Sequence, residues 1–124
     1  VDNYLGILHA GVLVSNLEAA VTFYRDVLGL RVLSTRPDLG YPGAWFAVGD
    51  HQIHLMALSN PDPVTGRPPH AGRDRHVAVA VSDLTELQRR LESASVNYTL
   101  SRSGRRALFC RDPDGNGLEF VEQR

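Results

Sequence analysis

His9-Ala-Gly-Val-Leu-Val14, followed by Ser15-Asn16-Leu17, recurs as His76-Val-Ala-Val-Ala-Val81, followed by Ser82-Asp83-Leu84, 67 positions further along the chain. The repeat sets His9 opposite His76. Toward the end of each copy, Gly49-Asp50 and Gln52-Ile53-His54-Leu55 answer to Asp112-Pro113-Asp114-Gly115 and Gly117-Leu118-Glu119-Phe120, so His54 falls opposite Glu119. Three imidazoles and one carboxylate, matched by an internal repeat, are the donor set that a pseudo-twofold metal site between two units requires.

Leu8, Ala10, Val12 and Val14 alternate with His9, Gly11 and Leu13, which predicts a strand with an apolar side toward a helix and a second side carrying the histidine. Ser15 with Glu18 makes a capping box, and Leu17, Ala20, Val21, Tyr24 and Leu28 then recur at helical spacing until Gly29, a left-handed C-terminal residue. In the second copy Asp83 with Glu86 opens a helix with the stripe Leu84, Leu87 and Leu91 and with Arg89, Arg90 and Glu92 outside. Short β segments follow at 31–35, 43–48 and 52–58, and again at 98–101, 106–111 and 117–122, with turn chemistry at Gly49-Asp50 and from Asp112 to Gly117. Each unit therefore reads βαβββ, an α+β class. The units run from about 5 to 58 and from about 74 to 122, in one domain of 1–124. Ser59 to Arg75, with Pro61, Pro63, Pro68 and Pro69, is a linker long enough for the halves to pair within one chain or to exchange between two.

At 124 residues and 43% hydrophobic content the chain has apolar material for one domain or two small half-domains. A formal charge of -1 leaves no electrostatic footprint for nucleic acid, so the expected partner is a small molecule. The one cysteine, Cys110, makes no internal disulfide, and no stretch reads as a secretory leader or approaches membrane-spanning length. The expectation is a cytoplasmic protein with no membrane partner.

The paired βαβββ units, the first-strand His9, the stretch from Phe23 to Leu30 and the Asp112-Pro113-Asp114-Gly115 turn leading to Leu118-Glu119-Phe120 resemble the vicinal oxygen chelate superfamily. That group includes glyoxalase I, extradiol dioxygenases, methylmalonyl-CoA epimerase and the fosfomycin and bleomycin resistance proteins. The resemblance runs from Leu5 to Glu122. It implies an open barrel-like mixed sheet with helices outside, a homodimer, and one divalent metal per site held at the seats of His9, His54, His76 and Glu119. It also implies that Glu119, on releasing the metal, is the catalytic base.

The residues carry part of this independently. His76 shares its strand face with the small Ala78 and Ala80, which leaves room for a substrate, and Glu119 sits between Leu118 and Phe120, where a carboxylate is costly unless paired or bound to metal. Any one histidine also reads as a hydrogen-bonded structural residue; His51 and His70 are assigned no chemistry. Imidazoles with a carboxylate suit Zn, Ni, Fe or Mn better than Ca or Mg. If His9, His76 and Glu119 alone bind, the set is the two-His one-carboxylate arrangement suited to Fe(II) and dioxygen. If His54 joins, four ligands keep two positions for a bidentate substrate. Related lyases and epimerases commonly carry Glu or Gln at the His54 seat, glyoxalase I an Arg where Leu13 stands, and the fosfomycin enzymes a Thr where Gly11 stands. Trp45 is a candidate to stack on a planar substrate or to join the core. Arg102, Arg105 and Arg106 flank Gly104 at the entry to a strand and are candidates to receive an anionic substrate group or to form a solvated loop, with Arg106 the expected substrate-binding residue. The leading expectation is a metal-dependent lyase or isomerase that moves a proton on a substrate chelating through adjacent oxygens. The alternatives are an Fe(II) extradiol-type dioxygenase and a non-catalytic dimer that binds a drug or metabolite.

Overall fold

A computed structural model describes residues 3–123. The alternation at His9 forms strand β1 (His9–Leu13), followed by helix α1 (Leu17–Val21), β2 (Arg31–Leu33), β3 (Gly43–Val48) and β4 (His51–Met56). The second unit gives β5 (His76–Val81), α2 (Leu84–Ser93), β6 (Tyr98–Leu100), β7 (Ala107–Arg111) and β8 (Gly117–Glu122). Each unit makes its own four-stranded mixed sheet, β1-β4-β3-β2 and β5-β8-β7-β6, in which the first strand runs parallel to the last. The architecture is α+β, and the two sheets do not close into a barrel. Among the described residues β1 and β5 are each paired along one edge only.

Strand alternation divides the side chains. Phe46, Ile53 and Leu55 of the first sheet and Val79, Leu108, Leu118 and Phe120 of the second pack with Ala20, Tyr24, Leu84, Leu87 and Leu91 of the helical segments in one continuous core. The opposite faces carry His9 and His54 in the first unit and His76 and Glu119 in the second. No described helix is long and apolar enough to cross a membrane.

Two local features differ from the sequence reading. The cap of α1 is Asn16, whose Oδ1 accepts from Ala19 N at 3.0 Å, and the backbone N–H of Ser15 donates to Asp114 Oδ1 at 2.9 Å instead of to Glu18. After Val21 the helix widens into a π-type stretch, Thr22–Val27, in which the consecutive Phe23 and Tyr24 are both buried. Asp83 caps α2 through Glu86 N, and Gly29 takes φ +82°, as the sequence implies.

The Asp112–Gly117 turn ties the halves together. Buried Asp112 accepts the Tyr24 hydroxyl at 2.8 Å, Asn116 Nδ2 at 2.8 Å, and the backbone N–H groups of Asp114 and Asn116 at 2.9 Å each. Asn116 also donates to the carbonyl of Leu13 at the end of β1, 3.0 Å away. The linker does not float either. Arg111 donates to Pro68 O at 2.6 Å and to Asp74 at 2.9 Å, and His70 Nδ1 meets Thr99 Oγ1 at 2.6 Å.

Candidate metal centre

In the first sheet, register decides which rings meet. His54 pairs with Gly11 on β1 and with Trp45 on β3. The His54 ring is stacked between two planes, His9 at 3.9 Å and Trp45 at 4.1 Å between centroids. Phe46, the next residue on β3, faces the core instead. Gln52 Oε1 lies 2.7 Å from His54 Nε2; an amide oxygen only accepts, so Nε2 carries the proton. Burial, then the neighbouring His9 and Arg36, push the His54 imidazole below its usual value, which keeps it neutral at neutral pH, the form a metal requires.

The second sheet builds a different pair at the equivalent register. Glu119 is 4% exposed, faces Ala78 across β5 and Phe109 across β7, and sets Oε1 3.1 Å from His76 Nε2. The other ring nitrogen of His76 donates to the carbonyl of Asp74 at 2.8 Å, a contact that fixes the ring and points Nε2 at Glu119. Glu119 Oε2 accepts from Arg105 Nη2 at 2.8 Å. Phe109 lies edge-on to His76 on one side and His70 on the other, at 5.6 and 4.6 Å.

The four expected donors thus come as two pairs, His9 with His54 and His76 with Glu119. Among the described residues no group of three His, Cys, Asp or Glu converges within the chain. Trp45 lines the first pair. Arg106 does not reach the second: its Nε donates to Glu122 at 2.9 Å and its Nη2 to Thr85 at 2.8 Å, because strand alternation turns it to the helix side. Arg105, one position earlier, stands at Glu119. Gln52, Arg105 and the Asp74 carbonyl also belong to the site, and of these only Arg105 was named from sequence, as one of three arginines. Gln52 was two residues from His54 on the same strand face, a visible period-2 signal. Arg105 was hidden in an arginine cluster whose phase at the strand entry is set by the turn. The Asp74 carbonyl has no sequence signature.

With this geometry in view, the class of protein is defined. The sequence model of the Glyoxalase/Bleomycin resistance protein/Dioxygenase superfamily matches residues 6–120, and the chain belongs to that superfamily. It is 27% identical over 125 residues to the lactoylglutathione lyase of Haemophilus influenzae, covering 95% of this chain and 93% of the relative. It is 33% identical over 115 residues to the glutathione transferase FosA of Serratia marcescens, covering 90% and 77%. A crystal structure of a glyoxalase family protein from Bacillus anthracis superposes with a TM-score of 0.79 at 25% identity, over the whole of both chains.

The chemistry of the donors fits the divalent metal that such a family implies, but as halves. Each pair lies on a sheet face that its own helix leaves open. His54 is held neutral, and Glu119 is a buried carboxylate already aimed at an imidazole.

Proposed function

We propose that the chain is a divalent-metal-dependent enzyme that acts as a homodimer and moves a proton on a small substrate chelating through adjacent oxygens. The observation that carries this reading is the division of the donor set into two open pairs that do not meet within one chain. A second copy brings the His9–His54 face of one chain against the His76–Glu119 face of the other. Tyr4, Leu5, Ile7 and Leu8 are exposed apolar residues running directly into β1, whose outer edge is unpaired, and such an edge invites association with another chain.

One Zn, Ni, Fe or Mn ion held by His9, His54, His76 and Glu119 would polarise the chelating oxygens of the substrate. The rest falls to side chains. Asp74 holds the His76 ring in place, and Trp45 offers a flat wall to a planar substrate. Glu119 is the base: its carboxylate takes the proton from the carbon beside the substrate carbonyl and returns it to the neighbouring position. Apposition of the two faces excludes water while that proton is held. The buried, unpaired Cys110 suits the reducing cytoplasm.

One observation favours dioxygenation as a second reading. His54 is sandwiched between two rings, and if it stays there the ligands are His9, His76 and Glu119 alone. Oxygen uptake with catechols by the Fe(II)-loaded protein would select that reading; its absence, together with Zn or Ni retention, selects proton transfer.

The primary test is complementation. Dimers of His9→Ala/His54→Ala and of His76→Ala/Glu119→Ala chains should each bind no metal. Unfolded together and refolded, they should recover about a quarter of the wild-type metal content, because half the dimers are mixed and each mixed dimer has one intact site of two. No recovery overturns the shared site. A wild-type chain that takes up none of the four ions overturns the metalloenzyme reading.

A further inference from the structure

The Arg105–Glu119 ion pair is unequal. The Glu119 side chain is 6% exposed and fixed in the middle of β8, whereas that of Arg105 is 58% exposed and rides on a turn. That turn is ordered by its own bonds: Ser103 N donates to Ser101 Oγ at 3.2 Å, Arg105 Nε donates to Ser103 Oγ at 3.2 Å, and Gly104 takes φ +84°. The guanidinium is therefore held over Glu119, at the mouth of the His76–Glu119 pair, while most of its surface faces solvent. Arg106 is tied to Glu122, and Arg102 has no ion-pair partner among the described residues. Of the three arginines, only Arg105 touches a donor of the site.

A carboxylate that turns an oxygen to a divalent ion can no longer neutralise a guanidinium to the same degree, since both cations compete for one negative charge. Once Glu119 is engaged, Arg105 is left as a cation with a planar fork of donors beside the substrate space. We propose that Arg105 is a positioning and specificity residue: it holds Glu119 in the metal-free protein and, when Glu119 turns to the metal, passes its fork to a second anionic group, a carboxylate or phosphonate, on the chelating substrate. The proposal rests on the metalloenzyme reading and names its substrate class, small chelating molecules with an additional negative charge beyond the chelating oxygens. Bidentate recognition of such a group is what a guanidinium does and an ammonium does poorly. Because metal and anion each compete with one side of the ion pair, their binding must be mutually favourable, by the same factor in either order.

The test measures Zn(II) affinity of the purified metal-free protein by competition with a chromophoric chelator, then ligand affinity of the Zn(II)-loaded protein by calorimetry. The ligands are 2-hydroxyglutarate and 2-hydroxypentanoate, which share a chelating end and differ in the remote carboxylate. Arg105→Gln should bind Zn(II) several-fold more tightly than wild type, since the competitor for Glu119 is gone. Wild type should prefer 2-hydroxyglutarate by about tenfold, Arg105→Gln should show no preference, and Arg105→Lys should restore part of it. Arg102→Gln removes the same charge from the same turn and should behave as wild type in both measurements. Equal effects of Arg105→Gln and Arg102→Gln, or a preference that survives in Arg105→Gln, would overturn the role of Arg105 alone. A wild-type protein that binds no Zn(II), Ni(II), Mn(II) or Fe(II) overturns the metalloenzyme reading and this inference with it.

Discussion

The two halves place donors at the same register and surround them in opposite ways. His54 in the first half pairs with Trp45 on β3, and Glu119 in the second pairs with Phe109 on β7, so the aromatic neighbours are also equivalent. Yet the first pair lies in a stack of three rings, while the second runs from the Asp74 carbonyl through His76 to the Glu119–Arg105 ion pair. The linker explains part of the difference. It folds back over the second sheet, with His70 against Thr99 and Phe109, and a Cβ on Gly72 would sit 2.8 Å from His70 Nε2 and 3.0 Å from Phe109. Among the described residues no equivalent segment covers the donor face of the first sheet, where Trp45 and His54 stay partly exposed. The lesson is that a repeated backbone fixes where donors stand, and the connecting segment decides how each is charged and solvated.

The same asymmetry governs stability, and here the largest effect is expected. Asp112 at the β7–β8 turn satisfies four donors in a buried setting, whereas its counterpart at the β3–β4 turn, Asp50, is exposed. Asp112→Ala strands the Tyr24 hydroxyl in the core and opens the turn that reaches Leu13, at a cost of about 3 kcal/mol or more. Asp50→Ala should change stability by less than about 0.5 kcal/mol. Urea denaturation of both variants checks the contrast, and comparable midpoints would refute the idea that one turn locks the halves.

Next in size is the loss of metal from each side. Glu119→Gln removes the only negative charge of the donor set and should weaken Zn(II) binding by about a hundredfold. His54→Gln removes one neutral donor already engaged in a stack, and the loss should be smaller. Chelator competition on the two variants reads this directly; an equal or larger loss from His54→Gln would mean that the stack opens to give a full fourth ligand.

Much of this was legible from the chain. Period-2 alternation around His9, His76 and Glu119 gave the faces, and the repeated turn-then-strand pattern at the end of each unit gave the equivalence of His54 with Glu119, which β1–β4 and β5–β8 register bears out. Division of the donors between two open sheets was not legible, because a Pro-rich linker of that length permits either pairing. Nor was the choice of Arg105 over Arg106. Adjacent residues at a strand entry point to opposite faces, and a shift of one position in the Gly104 turn exchanges them. Asn16 caps the first helix, as Asp83 caps the second 67 positions on, and the Ser15 N–H goes to Asp114, distant in sequence.

A smaller effect concerns the stack of rings. Burial holds the folded-state pKa of His54 below 6.5, so between that value and 6.5 the folded protein binds fewer protons than the unfolded chain. The contribution of His54 is present above pH 6.5 and is lost as the pH falls through that window. Trp45→Ala exposes the ring and should raise its titration midpoint toward 6.5, followed by imidazole NMR on metal-free protein. An unchanged midpoint would show that Trp45 does not desolvate His54.

The smallest effect compares two core positions that register makes equivalent. Phe46 faces Ile53 in the first half, and Cys110 faces Leu118 in the second. Both are buried on the helix side, so Cys110 is a small apolar filler in a place where the first half carries a phenyl ring. Burial, with the nearby Asp112 carboxylate as a second cause, pushes its thiol up to about 12. At pH 8 only about one part in ten thousand would be thiolate, and the sulfur is shielded as well. The folded protein should therefore leave a disulfide reagent such as dithionitrobenzoate unreacted over hours at pH 8, and react fully once unfolded in urea. Cys110→Ala should cost about 1 kcal/mol, the loss of one buried sulfur from a packed core. Rapid labelling of the native protein would mean that the second half opens at β7, and the picture of a close-packed helix-side core beneath the His76–Glu119 pair would fail.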